Sequence, residues 1–140
     1  MNRANLPISA SDQPVTVPEH EREIAELVHR FYTLARQDPV LGPVFDRQVK
    51  DWDKHLSTMC DFWSSAVYRT GRYSGRPLDA HRRVADIQPE HFPRWLGLWQ
   101  QTVDEVVRSE AHGPLKDFAS RMASTMSTRL GLSPSFGDNG

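Results

Sequence analysis

Four stretches of this chain carry apolar residues three and four positions apart, and each one stops at a proline or a glycine. That spacing gathers large side chains on one side of an α-helix and would scatter them over both faces of a strand, so it constrains the fold class more than any other feature. Ile24, Leu27, Val28, Phe31, Tyr32 and Ala35 form the first stripe. Pro18, at home in a first helical turn, precedes it with Glu19 and Glu21 at the positive end of the helix dipole. Asp38-Pro39 ends it, because a proline ring disfavours the helical conformation of the residue before it. Leu41-Gly42-Pro43-Val44-Phe45 then predicts a tight turn whose apolar side chains still point inward. A second helix is expected from Asp51, a good N-cap, with Trp52, Leu56, Met59, Phe62 or Trp63, and Ala66 on one face and His55 among them. Gly71 and Tyr73-Ser74-Gly75-Arg76-Pro77 break the pattern, and Leu78 to Val84 predicts a loop with one or two helical turns. Pro89 and Pro93 punctuate the start of a third helix, carrying Trp95, Leu96, Trp99, Thr102, Val103 and Val106 and running to about His112. Gly113-Pro114 separates it from a fourth, with Leu115, Phe118, Ala119, Met122, Met126 and Leu130 inward and Gly131 as its C-terminal cap. No segment alternates apolar and polar residues as strands do and no repeat occurs, so the fold reads as all-α with four substantial helices.

At 140 residues the chain suffices for one hydrophobic core. Residues 1–16, polar and without periodicity, read as an arm outside the fold, residues 17–131 as the domain, and residues 132–140 as a polar tail. Lys and Arg number 17 against 18 Asp and Glu, so no bulk positive field exists to hold a phosphate backbone, and no nucleic-acid partner is expected. The single cysteine, Cys60, reads as a buried thiol and excludes internal disulfides, cysteine zinc sites and redox pairs. No apolar run approaches the ~20 residues needed to span a bilayer, and the N-terminus lacks the apolar core of a signal peptide, so the expectation is a soluble cytoplasmic protein with no membrane partner.

Polar tips on apolar stripes carry the chemistry. His55, set among Trp52, Leu56 and Met59, must find a hydrogen-bond partner or serve a ligand. Tyr32 aims a phenol inward beside Phe31, and Trp95 carries an indole N–H that needs a partner once buried. Taken alone, each reads first as a satisfied core residue. His81 lies in the short element between long helices, where a side chain can face a cleft; His91, at a helix start before Phe92-Pro93, is set aside as solvated. A di-iron bundle needs two Glu-x-x-His pairs, and only Glu26 with His29 exists, both off the apolar stripe. No nucleophile elbow, phosphate loop or His-Glu-x-x-His motif occurs. Arg69, Arg72, Arg76, Arg82 and Arg83 form a basic cluster with Asp79 the only acid among them, either a solvated patch or a receiver for carboxylates. An aromatic interior faced by histidines from two elements suits a haem pocket.

The residues Phe31-Tyr32, Asp38-Pro39 with Leu41 to Phe45, Trp52 with His55, Phe62-Trp63, Tyr73-x-Gly75-x-Pro77-Leu78-x-x-His81 and His91-Phe92-x-x-Trp95-Leu96 resemble, in order and spacing, the group III truncated haemoglobins. The resemblance covers roughly residues 20–130 and implies a shortened globin, a two-over-two antiparallel helix sandwich around haem b. It implies His81 as the proximal iron ligand, Phe45 against the porphyrin, Tyr32 and Trp95 as distal donors and His55 as the distal histidine. It further implies Met59 completing the distal wall and Phe62 among the residues touching the cofactor. The expected ligands are dioxygen, carbon monoxide and nitric oxide, with an unidentified reductase as partner. Donors aimed at a partly anionic oxygen suit oxygen or nitric oxide redox chemistry better than oxygen carriage, leaving nitric oxide dioxygenase and peroxidase-like activity open. A reading from another class is a haem-free four-helix interaction module whose stripes are simply core.

Overall fold

A computed structural model describes residues 17–84 and 87–132; the expected arm and all of the expected tail except Leu132 lie outside them. Six helices follow in order: α1 (Val17–Gln37), α2 (Gly42–Gln48), α3 (Trp52–Tyr68), α4 (Pro77–Arg82), α5 (His91–Val106) and α6 (His112–Arg129). No strand occurs among the described residues, and none of their helices is long and apolar enough to cross a membrane.

Local chemistry sets the ends. The Asp51 carboxylate accepts the Lys54 N–H at 3.1 Å and opens α3 as expected. Gly131, at φ 75, closes α6 in a Schellman motif, with its own N–H on the Thr128 carbonyl and that of Leu132 on Ser127, both at 3.0 Å. Leu132 packs against Phe92, Ala123 and Met126, so this residue of the expected tail belongs to the core.

Two expectations are corrected. Leu41 to Phe45 is the start of α2, not a turn. Asp38 accepts the N–H groups of Val40 and Leu41 at 3.0 and 2.9 Å, and Pro43 sits in the first helical turn, where its missing N–H costs nothing. The third long helix ends at Val106, six residues short of the expected end. There the Glu23 carboxylate of α1 accepts the Arg108 N–H at 3.0 Å and the Ser109 hydroxyl at 2.6 Å, drawing the chain out of the helix. Gly113 and Pro114 consequently lie inside the first turn of α6 instead of ahead of it.

α1 packs on α3 and α5 packs on α6; the two pairs cross through α1 against α5 and α3 against α6. Ile24, Leu27, Val28, Phe31 and Ala35 fill the centre with Trp63, Trp99, Val103 and Leu115, all nearly removed from water. Burying each of the aliphatic or phenyl side chains larger than Ala35 contributes about 1.5–3 kcal/mol. Three indoles stack through this core, Trp63 on Trp99 with centroids 4.3 Å apart and Trp95 on Trp99 at 5.8 Å. Trp99 donates its indole N–H to the Leu115 carbonyl at 3.3 Å and so is satisfied within the core. α4 shares no extensive packing with any other helix, and a cleft opens between it and the bundle.

Candidate functional site

Every residue expected from the sequence to touch haem or its ligand faces this one cleft. Tyr32 reaches it from α1, Phe45 from α2, His55, Met59 and Phe62 from α3, His81 from α4 and Trp95 from α5, around a cavity of about 220 Å³. The walls are overwhelmingly apolar, with Val44, Val84, Ile87, Phe92, Met122 and Met126 completing them. Few polar groups therefore face the interior, and each matters.

His55 is half-buried, with Nε2 enclosed and without any hydrogen-bond partner. Its ring sits edge-on to Tyr32 and Trp52, centroids 5.1 and 5.5 Å away. Burial pushes its pKa below the ordinary histidine value, so the ring stays neutral at pH 7 and holds an unmet polar valence in the cleft. Tyr32 is buried, packed edge-on against Phe31 and Phe45. Burial, with a smaller contribution from Cys60, drives its phenol pKa upward, so the group is a neutral O–H donor throughout the physiological range. Neither this hydroxyl nor the Trp95 indole N–H has a hydrogen-bond partner among the described residues.

His81 differs in one respect. Its Nδ1 lies 2.7 Å from the Pro77 carbonyl one helical turn earlier. A carbonyl only accepts, so Nδ1 carries the proton and the Nε2 lone pair is left unprotonated. His91, set aside from the sequence, also lines the cleft. Its Nδ1 accepts the Gln88 N–H at 2.9 Å while its own backbone N–H donates to the Gln88 carbonyl at 3.0 Å, so in the neutral ring its proton sits on Nε2. The two histidines thus present opposite tautomers: His81 offers a lone pair and His91 an N–H.

Tyr73, Trp99 and Phe31 line the cleft too and were given no role from the sequence. Tyr73 had a signal in the Tyr73-x-Gly75 motif: a Cβ on residue 75 would lie 2.5 Å from its phenol oxygen, so a larger residue there would push the Tyr73 ring aside. Cys60 is half-buried, and burial with Asp61 and Glu21 pushes its thiol up to about 11, which keeps it protonated. None of the five clustered arginines lines the cleft. Glu26 and His29 are exposed, and no group of three metal-ligating side chains exists among the described residues.

The sequence profile of the family described as bacterial-like globin matches residues 19–128. A group 3 truncated hemoglobin of Campylobacter jejuni is 28% identical over 115 residues, which span 79% of this chain and 91% of that protein. The crystal structure of a group III truncated hemoglobin from Campylobacter jejuni superposes with a TM-score of 0.74 at 27% identity, covering 84% of this chain and 93% of that one.

Proposed function

The chain belongs to the bacterial-like globin family, and on that premise we propose that it binds haem b, with His81 on the iron and Tyr32, Trp95 and His55 serving the opposite side. The observation that carries the reading is the 2.7 Å bond from His81 Nδ1 to the Pro77 carbonyl. It fixes the ring's orientation and tautomer and leaves the Nε2 lone pair free on a residue that lines the apolar cleft, as a second bond does for metal-ligating histidines generally. Two further features support the fit. The orphaned His55 Nε2 needs a polar group inside the cleft, and the apolar walls suit a largely apolar macrocycle. One cysteine leaves no Cys-x-x-Cys-His attachment motif, which favours haem held without a covalent link.

Haem supplies an iron that takes a diatomic ligand on its free face and exchanges single electrons. The chain's own residues decide what that iron does. Met59, Phe62 and Phe45 exclude water, Tyr32 holds a proton on its phenol, and Trp95 holds one on its indole. Both donors stabilise a ligand that gains negative charge on binding, such as dioxygen, more than one that stays neutral, such as carbon monoxide. Oxygen held this way leaves slowly, which favours redox chemistry of oxygen or nitric oxide over carriage, with electrons delivered by a separate reductase.

An absorption spectrum of the purified, haem-reconstituted protein tests the first step: a strong Soret band is expected, and its absence would return the chain to a haem-free helical module. His81→Ala should abolish stable haem binding or make it depend on added imidazole. His91→Ala should leave the spectrum nearly unchanged, and a reversal of the two results would transfer the ligand role to His91.

A further inference from the structure

Arg69, Arg72, Arg76, Arg82 and Arg83 fall in a fifteen-residue segment with one acid, Asp79, giving it a formal charge of +4, while the other twelve basic and seventeen acidic residues sum to −5. Counting the next acid in sequence, Asp86, still leaves +3. Charge is therefore distributed very unevenly along the sequence although the net charge is only -1.

Little of this positive charge is used internally. Arg72 is held by Glu21 of α1 at 2.8 Å, and Arg76, its side chain 84% exposed, makes only a loose 3.8 Å pair with Asp79. Arg69, Arg82 and Arg83 are exposed and have no acidic partner among the described residues. None of them lines the cleft. Arg82 and Arg83 directly follow His81, at the end of the short helix whose Pro77, Ala80 and His81 line the cleft.

We infer that Arg69, Arg76, Arg82 and Arg83 form a docking face for an acidic, one-electron donor protein that reduces the haem; this rests on the haem reading above. One electron leaves the donor's reduced flavin or iron–sulfur centre and converts the oxidised cofactor from ferric to ferrous. No bond forms or breaks, and no proton is required. The physical case is one of position and sign. A concentrated positive patch raises the encounter rate with a negative partner and orients it, while the negative remainder of the chain repels wrong approaches. A donor bound at Arg82 and Arg83 is brought to the side of the cleft that bears the iron's protein ligand.

The full chain, reconstituted with haem, is reduced anaerobically by an acidic plant-type ferredoxin used as probe, and by the cation hexaammineruthenium(II). The Soret change is followed by stopped flow. Wild-type reduction by ferredoxin should slow roughly tenfold or more as salt rises from about 20 to about 300 mM, because the screening length shortens several-fold. The double variant R82E/R83E should be slower by roughly tenfold at low salt and nearly salt-independent, with the ruthenium rate equal or higher. Arg22→Glu, an exposed reversal on α1, should match the wild type. Equal ferredoxin rates for R82E/R83E and wild type would overturn the inference, as would an equal loss in Arg22→Glu. Faster haem loss to apomyoglobin from R82E/R83E would assign the arginines to the cofactor's carboxylates instead. Salt-sensitive binding to phosphatidylserine vesicles, lost in R82E/R83E with ferredoxin rates unchanged, would make the face a membrane contact. A wild-type chain with no Soret band sinks the haem reading itself; a normal Soret band with salt-independent ferredoxin reduction sinks only the docking face.

Discussion

Tyr32 and His55 do their work as single polar groups in an apolar wall, and their consequences are separable. Tyr32→Phe deletes a donor to a charged acceptor, a loss of about 1.5–3 kcal/mol, so oxygen release should accelerate on the order of ten- to a hundredfold while carbon monoxide release changes little. In the haem-free protein the same change removes a hydroxyl without a partner, and the urea midpoint should stay level or rise. Flash photolysis and denaturation together distinguish a donor from a packing residue; equal acceleration for both gases would make Tyr32 a matter of access. For His55 the expected role is a gate, since on the proposed reading Tyr32 and Trp95 supply two donors to a small ligand. His55→Ala should speed carbon monoxide association and alter oxygen release only by the same factor. Burial lowers the pKa of His55, so the inward ring resists protonation and the charged ring favours water. Carbon monoxide association should therefore quicken as pH falls below the ordinary value of about 6.5, and this dependence should vanish in His55→Ala. The inward direction of both side chains was legible from three-and-four spacing. The tautomers of His81 and His91 were not, because they depend on Pro77 and Gln88, whose backbone groups acquire positions only when the chain folds.

Elements end where specific side chains claim the backbone, and the corner between α1 and α2 shows how closely. Asp38, its side chain only 8% exposed, caps the corner through Val40 and Leu41 and accepts Arg94 Nε of α5 at 2.8 Å. Burial pushes its pKa up, but the Arg94 guanidinium and the two N–H groups push it down further, and the net shift is downward. A carboxylate whose folded pKa lies below its unfolded value of about 3.9 contributes stability that is fully present above that value and lost as pH falls through the folded pKa. Asp38→Asn should cost about 1–2 kcal/mol at pH 7, a figure reduced for the half-exposed Arg94, and the difference from wild type should shrink below pH ~4 in urea titrations. Gly42 reports on the same corner. A Cβ there would lie 2.6 Å from the Arg36 carbonyl oxygen, a backbone atom that cannot move aside, so Gly42→Ala should destabilise by about 1–3 kcal/mol. Gly-Pro signals a turn and a first helical turn alike, and only the bonds to Asp38 decide between them. The early end of α5 is similar, because Glu23 acts across 85 residues of sequence.

The molecule as a whole consists of a tightly packed bundle, with α4 set across a cleft and anchored by little else. Ligands that bind only the folded state stabilise it by mass action, about 2.7 kcal/mol at a hundredfold excess over the dissociation constant. Haem should accordingly raise the melting temperature. In hydrogen exchange the amides of residues 77–82 should be the least protected helical ones without haem and gain the most upon its addition, whereas those of α1 and α5 should change little. Uniform gains across all six helices would show that α4 is no less tied to the bundle than they are. The sequence by itself determined the four long helices, their inward faces and the polar residues on them, because helical period and capping act over a few neighbouring residues. It also singled out Tyr32, His55 and Trp95 by type and by face, and His81 by its family resemblance. Only the tertiary structure decided that they meet around one cleft, that His91 joins them, and that the arginines do not line it. Those outcomes depend on how two helix pairs cross and on contacts between residues far apart in the chain, and no local pattern encodes them.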